Sequence, residues 1–472
     1  LEFRRVLFRS DSISNEGSNI TITTGAGNDS IANTGSNVII NGDAGNDSVG
    51  SYFEGLNVSI SGGAGNDTLG IYGANSSVSG DKGNDVISTG SNATNLTVSG
   101  GAGADSITNT GSSAMIWGDA GNDLIINGSE GSLSGFFGTT NSNENSNTSS
   151  IGANSTIYGG RGNDSFTNYS ASSFIYGGSG KDSIENSGES SALYGDAGND
   201  YITNISDSVS IYGGKGRDTI ENRGDEILIN GGAGNDSIYN SGSKVIVDLG
   251  AGKDYLYNEG SVISISGGAG KDKIYNFGDH ITISGGAGND YIKNDGGKHI
   301  TYEFCESDGK DTVVGFNAND TIKITSGDYS TKRKGNNVIV SVGSGAILLK
   351  NAANFIVDEV ISLSAGDDTY SNDRERVTIS ALAGNDTVKN SASNVSIDGG
   401  DGWDKISLGS AAANVTIHGG KNGDVIYTNG AGNLIQFGKN DGSDLIYGFG
   451  GADSIQITSG AIVDSVKVGA NI

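Results

Sequence analysis

A Gly-x-Asp tripeptide returns along this chain at fixed intervals, and that periodicity constrains the fold more than any other feature. From Asp164 to Asp290 every step between successive aspartates is eighteen residues, and from Asp29 to Asp123 the steps alternate between eighteen and twenty. Self-similarity at a fixed period of this length indicates a solenoid, in which each repeat forms one coil that stacks on its neighbours.

Each period contains two turns and two short apolar segments. In residues 231–248 the turn GGAGND precedes SIY, and the turn NSGSK precedes VIVD. Apolar and polar residues alternate in the second segment, as they do in a β-strand with one buried face. The glycine density and the period exclude helices. We therefore predict an all-β fold, a parallel β-roll or β-solenoid with 18-residue coils, whose two sheets face each other across a thin aliphatic core.

The composition agrees with this fold and excludes several function classes. The 472 residues include 80 glycines, one cysteine and no proline, and the formal net charge is −27. Without proline every residue keeps the backbone N–H that a continuous ladder needs. The lone Cys305 excludes an internal disulfide framework. No apolar run approaches the ~18 residues of a membrane span, and so acidic a chain is a poor nucleic-acid binder.

The stacked aspartates require a counter-ion. Neighbouring coils lie about 4.8 Å apart, and two carboxylates at that distance repel by roughly 1 kcal/mol in water and by more at a protein surface. Carboxylates and glycine-freed carbonyls are hard oxygen donors that suit Ca²⁺, and the turns lack the thiolates and imidazoles of a zinc site. We therefore predict Ca²⁺ as the cofactor. The predicted metal ligands are Asp29, Asp47, Asp67, Asp85, Asp105, Asp123, Asp164, Asp182, Asp200, Asp218, Asp236, Asp254, Asp272, Asp290, Asp368, Asp386 and Asp404.

The unit GGAGNDSIY at residues 231–239 resembles the RTX (repeats-in-toxin, hemolysin-type) calcium-binding nonapeptide G-G-x-G-x-D-x-U-x. The resemblance covers most of residues 20–430. It implies that ions lie between consecutive turns on the same edge, that such ions usually line both edges of the roll, and that each aspartate is a side-chain ligand shared between neighbouring ions.

The chain departs from this family in every second turn, which carries asparagine and no aspartate. That edge lacks the carboxylate, so we expect an asparagine amide ladder there and calcium on the other edge only. The asparagines are Asn186, Asn204, Asn222, Asn240, Asn258, Asn276 and Asn294. Outward tyrosines should stack between coils, with glycan or surface contact as the alternative. They form two stripes: Tyr158, Tyr176, Tyr194 and Tyr212, and then Tyr239, Tyr257 and Tyr275.

Composition shifts divide the chain into seven predicted segments. The first ten residues match an in-frame translation of a common sequencing-adapter oligonucleotide, so we exclude them from fold reasoning. The prediction is an adapter-derived artefact at 1–10, a first β-roll array at 11–135, an Asn/Ser-rich loop at 136–156, a second array at 157–298, an antiparallel cap at 299–358, a third array at 359–430 and a truncated second cap at 431–472. The segment between Asp123 and Asp164 should leave a gap in the ion ladder, because one turn there loses its aspartate.

No catalytic motif is present: the chain lacks H-E-x-x-H, G-x-S-x-G and a P-loop, and we expect no enzyme activity. The resemblance implies a calcium-binding β-roll of a secreted or surface bacterial protein, an adhesin stalk or spacer that folds on Ca²⁺ after export. Its expected partners are a type I export apparatus and a cell-surface or glycan ligand. The alternative is the C-terminal carrier region of a secreted toxin or exoenzyme (protease, lipase or pore-former). An ion-independent solenoid also stays open.

Overall fold

The computed structural model describes residues 2–4, 10–52, 55–129, 152–327, 329–352 and 359–457, and all regular elements there are β-strands. None of these residues belongs to a helix, so none forms a helix that could cross a membrane. The chain divides into two compact units. Unit one comprises residues 1–315 and 319–326, and unit two comprises residues 316–318 and 327–472.

Unit one is built from two parallel sheets, and each coil contributes one segment to each sheet; in three coils the first-sheet segment is split into two short strands. The first sheet contains Glu2–Arg4, Thr21–Thr23, Ile39–Asn41, Ser59–Ala64, Ser77–Lys82, Thr97–Ala102, Met115–Ala120, Thr156–Arg161, Phe174–Ser179, Ala192–Tyr194, Ser210–Lys215, Leu228–Ala233, Ile246–Asp248, Ala251–Gly252, Ile263–Ser266, Ala269–Gly270, Ile281–Ser284, Ala287–Gly288, Thr301–Phe304 and Thr321–Ile324. The second sheet contains Ser12–Asn15, Ser30–Asn33, Ser48–Ser51, Thr68–Ile71, Val86–Thr89, Ser106–Asn109, Leu124–Asn127, Ser165–Asn168, Ser183–Asn186, Tyr201–Asn204, Thr219–Asn222, Ser237–Asn240, Tyr255–Asn258, Lys273–Asn276, Tyr291–Asn294 and Lys310–Val314.

Each strand pairs in register with the equivalent strand of the next coil. In the second sheet Ile238 lies between Ile220 and Leu256, and all three side chains are buried. In the first sheet Val247 pairs with Ile229 and is also buried. The predicted parallel solenoid with a thin aliphatic core is confirmed.

The solenoid continues across the interruption that the sequence shows between the first and second arrays. Met115–Ala120 pairs in parallel with Thr156–Arg161, and Leu124–Asn127 pairs with Ser165–Asn168. The predicted loop at 136–156 lies mostly outside the described residues. At the other end, Glu2–Arg4 pairs with Thr21–Thr23, so three of the ten residues that we excluded extend the first sheet.

Antiparallel pairing is confirmed but occupies less of the chain than expected. Thr301–Phe304 pairs in parallel with Thr321–Ile324, and Lys310–Val314 pairs in parallel with Tyr291–Asn294. These segments keep the alternating pattern of a coil although they lose the eighteen-residue spacing. The antiparallel strands, all in unit two, are Tyr329–Lys334, Asn337–Val342 and Gly345–Lys350.

The remainder of unit two is a shorter parallel solenoid with its own aliphatic core. One sheet contains Glu359–Ser362, Val377–Ser380, Ser396–Asp398, Thr416–His418, Leu434–Phe437 and Ser454–Ile457. The other contains Thr369–Asn372, Thr387–Asn390, Lys405–Leu408, Val425–Tyr427 and Leu445–Tyr447. The strands at 434–457, which the sequence assigned to a second cap, pair in parallel with this solenoid.

The predicted asparagine ladder is present and buried. The Nδ2 of Asn240 donates to Asn258 Oδ1 at 2.8 Å and to the backbone oxygen of Gly242 at 2.8 Å. The Oδ1 of Asn240 accepts from Asn222 Nδ2 at 2.8 Å. The same amide-to-amide bond runs from Asn168 to Asn294, so this edge satisfies its own side-chain polar groups over eight coils.

The first tyrosine stripe stacks between coils, as predicted. Rings of Tyr158, Tyr176, Tyr194 and Tyr212 are nearly parallel, with centroids 4.6 to 4.9 Å apart, and Trp117 extends the stack at 5.9 Å from Tyr158. The second stripe is less regular. Tyr239 and Tyr257 are 6.4 Å apart and tilted by 38°, because other aromatic rings in neighbouring coils also contact them.

We predict that Ile238→Ala destabilises unit one by about 2–5 kcal/mol, because the side chain is fully buried and its removal leaves a cavity between the sheets. Ile246→Ala is the matched control in the same coil, since Ile246 points outward and is 56% exposed; it should change the free energy of unfolding by less than about 0.5 kcal/mol. Denaturant unfolding followed by circular dichroism measures both. Equal effects would contradict the assigned strand faces.

Candidate metal centre

The predicted aspartates lie one above another in two columns. The backbone N–H of Asp218 donates to Asp236 Oδ1 at 2.8 Å, and the N–H of Asp236 donates to Asp254 Oδ1 at 2.8 Å. The same bond joins every consecutive pair from Asp29 to Asp290 in unit one. It also joins Asp368, Asp386 and Asp404 in unit two. All seventeen predicted residues therefore belong to a column.

Four further aspartates extend the columns and were missed as ligands. Asp311 follows Asp290, Asp424 and Asp444 follow Asp404, and Asp11 precedes Asp29, each through the same N–H to Oδ1 bond. Asp11 has Arg9 in the place of the glycine. The Gly-x-Asp signal was present at Asp311 and Asp444, but the spacings are 21 and 20 residues. Asp424 has Asn422 in the place of the glycine, and Asn422 adopts the positive φ of 78°.

The expected gap at the interruption is wrong. The N–H of Asp123 donates to Asp164 Oδ1 at 2.8 Å, and both side chains are buried, so these residues are consecutive in the column. The interruption follows the strand Leu124–Asn127 and precedes Thr156–Arg161. It therefore replaces an asparagine-type turn, and the aspartate edge is unaffected.

Each aspartate leaves one oxygen without a protein partner. While Oδ1 accepts the N–H of the preceding coil, the Oδ2 atoms of Asp218 and Asp236 are buried and have no hydrogen-bond partner among the described residues. The other residues with such an Oδ2 are Asp29, Asp47, Asp67, Asp85, Asp105, Asp123, Asp164, Asp182, Asp200, Asp254, Asp272, Asp290, Asp311, Asp386, Asp404, Asp424 and Asp444. Among the seventeen predicted ligands Asp368 is the exception, because its Oδ2 accepts the N–H and hydroxyl of Ser364.

Glycine keeps space open beside this oxygen. A Cβ on Gly213, the first glycine of its turn, would lie 2.8 Å from Asp218 Oδ2 and 2.5 Å from the backbone oxygen of Gly231 in the next coil. Gly213 does not have a positive φ, so space and not conformation requires glycine there. The unpartnered carboxylate oxygen and a backbone oxygen of the next coil therefore lie near one point.

The buried carboxylates cannot stay charged without compensation. Burial raises the pKa of Asp236 to about 7; the N–H bond from Asp218 opposes this, and the charges of Asp218 and Asp254 raise it further. Burial likewise raises the pKa of Asp200 to about 7 and that of Asp311 to about 8. At neutral pH the columns therefore need either protons or a cation.

The donor set fits a hard cation such as Ca²⁺. The column supplies one anionic oxygen per coil beside backbone oxygens, and hard carboxylate and carbonyl oxygens are the ligands that Ca²⁺ prefers. Among the described residues no three His, Cys, Asp or Glu side chains converge as a metal cluster. An ion in the column would thus complete its shell with backbone oxygens and water. Sharing of one aspartate between two ions stays a prediction.

Comparison with known proteins agrees with this geometry. The model of the RTX calcium-binding nonapeptide repeat matches residues 57–69, 115–130, 152–167, 176–203, 228–242, 282–298, 380–412 and 440–456. Every matched segment contains at least one aspartate of the two columns. None of the curated proteins matches the chain.

Among solved structures, the chain is similar to the extracellular lipase LipA from Serratia marcescens. The two are 18% identical over 50% of this chain and 33% of the lipase chain, with a TM-score of 0.16. The repeated family match and the aspartate columns agree on the same residues. The chain therefore carries RTX calcium-binding nonapeptide repeats in eight matched segments, and repeats of this kind are typical of secreted bacterial proteins.

Proposed function

We propose that this chain is a calcium-loaded β-roll that acts outside the cell as an adhesin stalk or structural spacer. The observation that supports the proposal is the pair of aspartate columns, in which nearly every coil holds a buried carboxylate oxygen without a partner. A group of this kind costs free energy unless a cation or a proton neutralises it. Calcium would remove that cost in every coil at once.

Calcium binding and folding are coupled in this arrangement. An ion site exists only when two coils are stacked, so the free energy of binding contributes directly to folding. In a low-calcium cytosol the ionised columns would keep the chain unfolded, and export into a calcium-rich medium would fold it. A type I export apparatus, which we propose as a partner, would thus receive an unfolded chain.

A mechanical role is favoured over catalysis. In the described coils the inward-facing positions are filled mainly by aliphatic side chains and the outward strand positions repeat, so these coils form no single reactive cleft. His280 and His299 are exposed and stack on each other, and His418 lies between Asp398 and Asp441. We propose that the chain is not an enzyme and that a cell-surface or glycan ligand is its distal partner.

Recovery of the full-length gene tests the stalk role separately from calcium binding. Additional repeat arrays would support a stalk. A protease, lipase or pore-forming domain on the same chain would contradict it and would assign this region the role of a carrier.

We predict that folding depends on Ca²⁺. At pH 7.5 in chelator, circular dichroism of the full chain should show mostly coil, and β-structure should appear as Ca²⁺ rises through about 10⁻⁴–10⁻³ M, the range of extracellular calcium modules. Mg²⁺ at equal concentration is the control, because it prefers a compact octahedral shell. A complete β-spectrum in chelator that Ca²⁺ does not change would contradict the proposal.

We predict that the folded chain binds about nineteen calcium ions. The columns contain fifteen gaps between consecutive aspartates in unit one and four in unit two, and one ion per gap gives this number. Seven of the gaps lie between Asp164 and Asp290. Atomic absorption on the dialysed chain measures the count. About twice this number would show that the asparagine edge also binds calcium, and none would leave only an ion-independent solenoid.

One test variant and two control variants check which side chains determine the number of bound ions. Asp236→Asn keeps the Oδ1 acceptor for the N–H of Asp218 and removes the charge, so it should lower the count by one or two. Asp207→Asn makes the same change at an exposed acid on the other edge and should leave the count unchanged. Asn240→Ala should also leave it unchanged, because it removes only ladder hydrogen bonds.

We predict that acid partly replaces calcium. Because the pKa of Asp236 is raised to about 7 in the fold, against ~3.9 in an unfolded chain, the metal-free folded state binds more protons than the unfolded state between these values. The metal-free fold should thus be most stable near pH 4 and lose stability as the pH rises to about 7. Circular dichroism of calcium-depleted chain at constant ionic strength measures this. More β-structure at pH 8 than at pH 5 would contradict it.

A further inference from the structure

The aspartate edge of unit one carries a row of exposed basic residues. They occupy the position directly before the column aspartate in four coils between residues 181 and 271, and we name them the basic row: Lys181, Arg217, Lys253 and Lys271. The remaining turns of this stretch have asparagine at that position. Within the described part of the chain, no salt bridge involves the basic row.

The asparagine edge carries acids at matching coils. We name the acidic row Glu189, Asp225, Glu259 and Asp279; the first three are exposed and Asp279 is half-buried. These acids also lack a salt bridge among the described residues. Glu189, Asp225 and Asp279 share one turn position, separated by multiples of eighteen. Asp207 also occupies this position, in a coil without a basic-row residue.

The two rows coincide coil by coil. Lys181 and Glu189 belong to one coil, and each of the other three basic residues likewise shares its coil with one member of the acidic row. The residues lie at the two ends of the same second-sheet strand, so base and acid are on opposite edges of that coil. No coil of this stretch has a basic-row residue without its acid.

We propose that these edges bind each other between two copies of the chain, side by side and in the same orientation. With the aspartate edge of one copy against the asparagine edge of the next and the coils in register, all four bases face an acid. A shift by one coil in either direction leaves one pair between the two rows, and at most three when the acids Asp207 and Asp295 of the same edge are also counted. A second copy is the partner that reproduces the coil spacing of the rows, because both edges share one backbone repeat.

The contact is heterologous, so a pair of copies keeps one free edge of each kind and the assembly grows sideways. Exposed ion pairs are individually weak, and the association should therefore be reversible and sensitive to salt. At about 0.1 M salt the Debye length is ~10 Å, which screens the distant charges of the two copies but not the charges in contact. This inference goes beyond the proposed function and requires only that the chain is folded.

The test is sedimentation of the full chain in calcium buffer, after circular dichroism has shown that it is folded. At about 0.1 M NaCl the weight-average mass should rise at least twofold between about 10 and 500 µM, and about 0.5 M NaCl should restore the monomer. A base-neutral variant (Lys181→Gln, Arg217→Gln, Lys253→Gln, Lys271→Gln) should stay monomeric. An acid-neutral variant (Glu189→Gln, Asp225→Asn, Glu259→Gln, Asp279→Asn) should also stay monomeric.

Mixing the two variants gives the sharpest outcome. The acid-neutral variant keeps the basic row and the base-neutral variant keeps the acidic row, so one molecule of each can form a single contact. The mixture should therefore form a 1:1 dimer and no larger species. The matched control Lys332→Gln, Arg333→Gln, Lys334→Gln, Lys350→Gln changes the net charge as the base-neutral variant does, outside both rows, and should assemble like the parent.

A parent chain that stays monomeric, or a mixture that does not dimerise, would overturn the proposal. So would a control variant that fails to assemble. Binding of polygalacturonate by the monomeric parent and not by the base-neutral variant would assign the basic row to an anionic polysaccharide instead. Calcium binding is measured independently, so these outcomes leave the proposed function standing.

Discussion

The burial of an ionisable side chain in every coil is the constraint on which the rest of this structure depends. The carboxylate of Asp236 belongs to the backbone ladder, since its Oδ1 accepts the N–H of Asp218 in the preceding coil. The fold therefore cannot expose this group to water without breaking the contact between coils. Its Oδ2 is therefore buried as well, and no donor among the described residues forms a hydrogen bond to it. The same side chain thus links neighbouring coils and makes a cation necessary.

The asparagine edge shows what the aspartate edge lacks. Both edges place a short polar side chain inside the turn and link it to the next coil. In Asn240 the second polar atom is an NH₂ group, which donates to Asn258 and to the carbonyl of Gly242. In Asp236 the second atom is an oxygen that only accepts, and the surrounding backbone offers it no donor. Replacing an amide nitrogen by a carboxylate oxygen converts a self-sufficient edge into one that needs an ion or a proton.

The sequence predicts the features that repeat every eighteen residues. Prediction from the sequence fails where the length of the repeat changes. Strand faces, the amide ladder and the first tyrosine stack follow from residues eighteen apart, because equal spacing puts equal side chains on one face of parallel strands. Asp311 and Asp444 were missed because their turns are longer, yet the N–H to Oδ1 bond restores the register. The interruption after Asp123 was assigned to the wrong edge for a similar reason. Loop length changes freely in a solenoid, whereas the hydrogen bonds between coils fix which residues are neighbours.

Two columns of different length have different thermodynamics. Each coil contacts only its neighbours, so the stability of such a stack is a sum of coil and interface contributions, and end coils lack one interface. Unit one holds sixteen column aspartates and unit two holds five, so the two terminal positions are a larger fraction of the column in unit two. One terminal residue of the shorter column, Asp368, is already half-buried and satisfied by Ser364. If one ion fills each gap between aspartates, the shorter column binds fewer ions for each of its terminal coils. Unit two therefore needs a higher calcium concentration to fold than unit one.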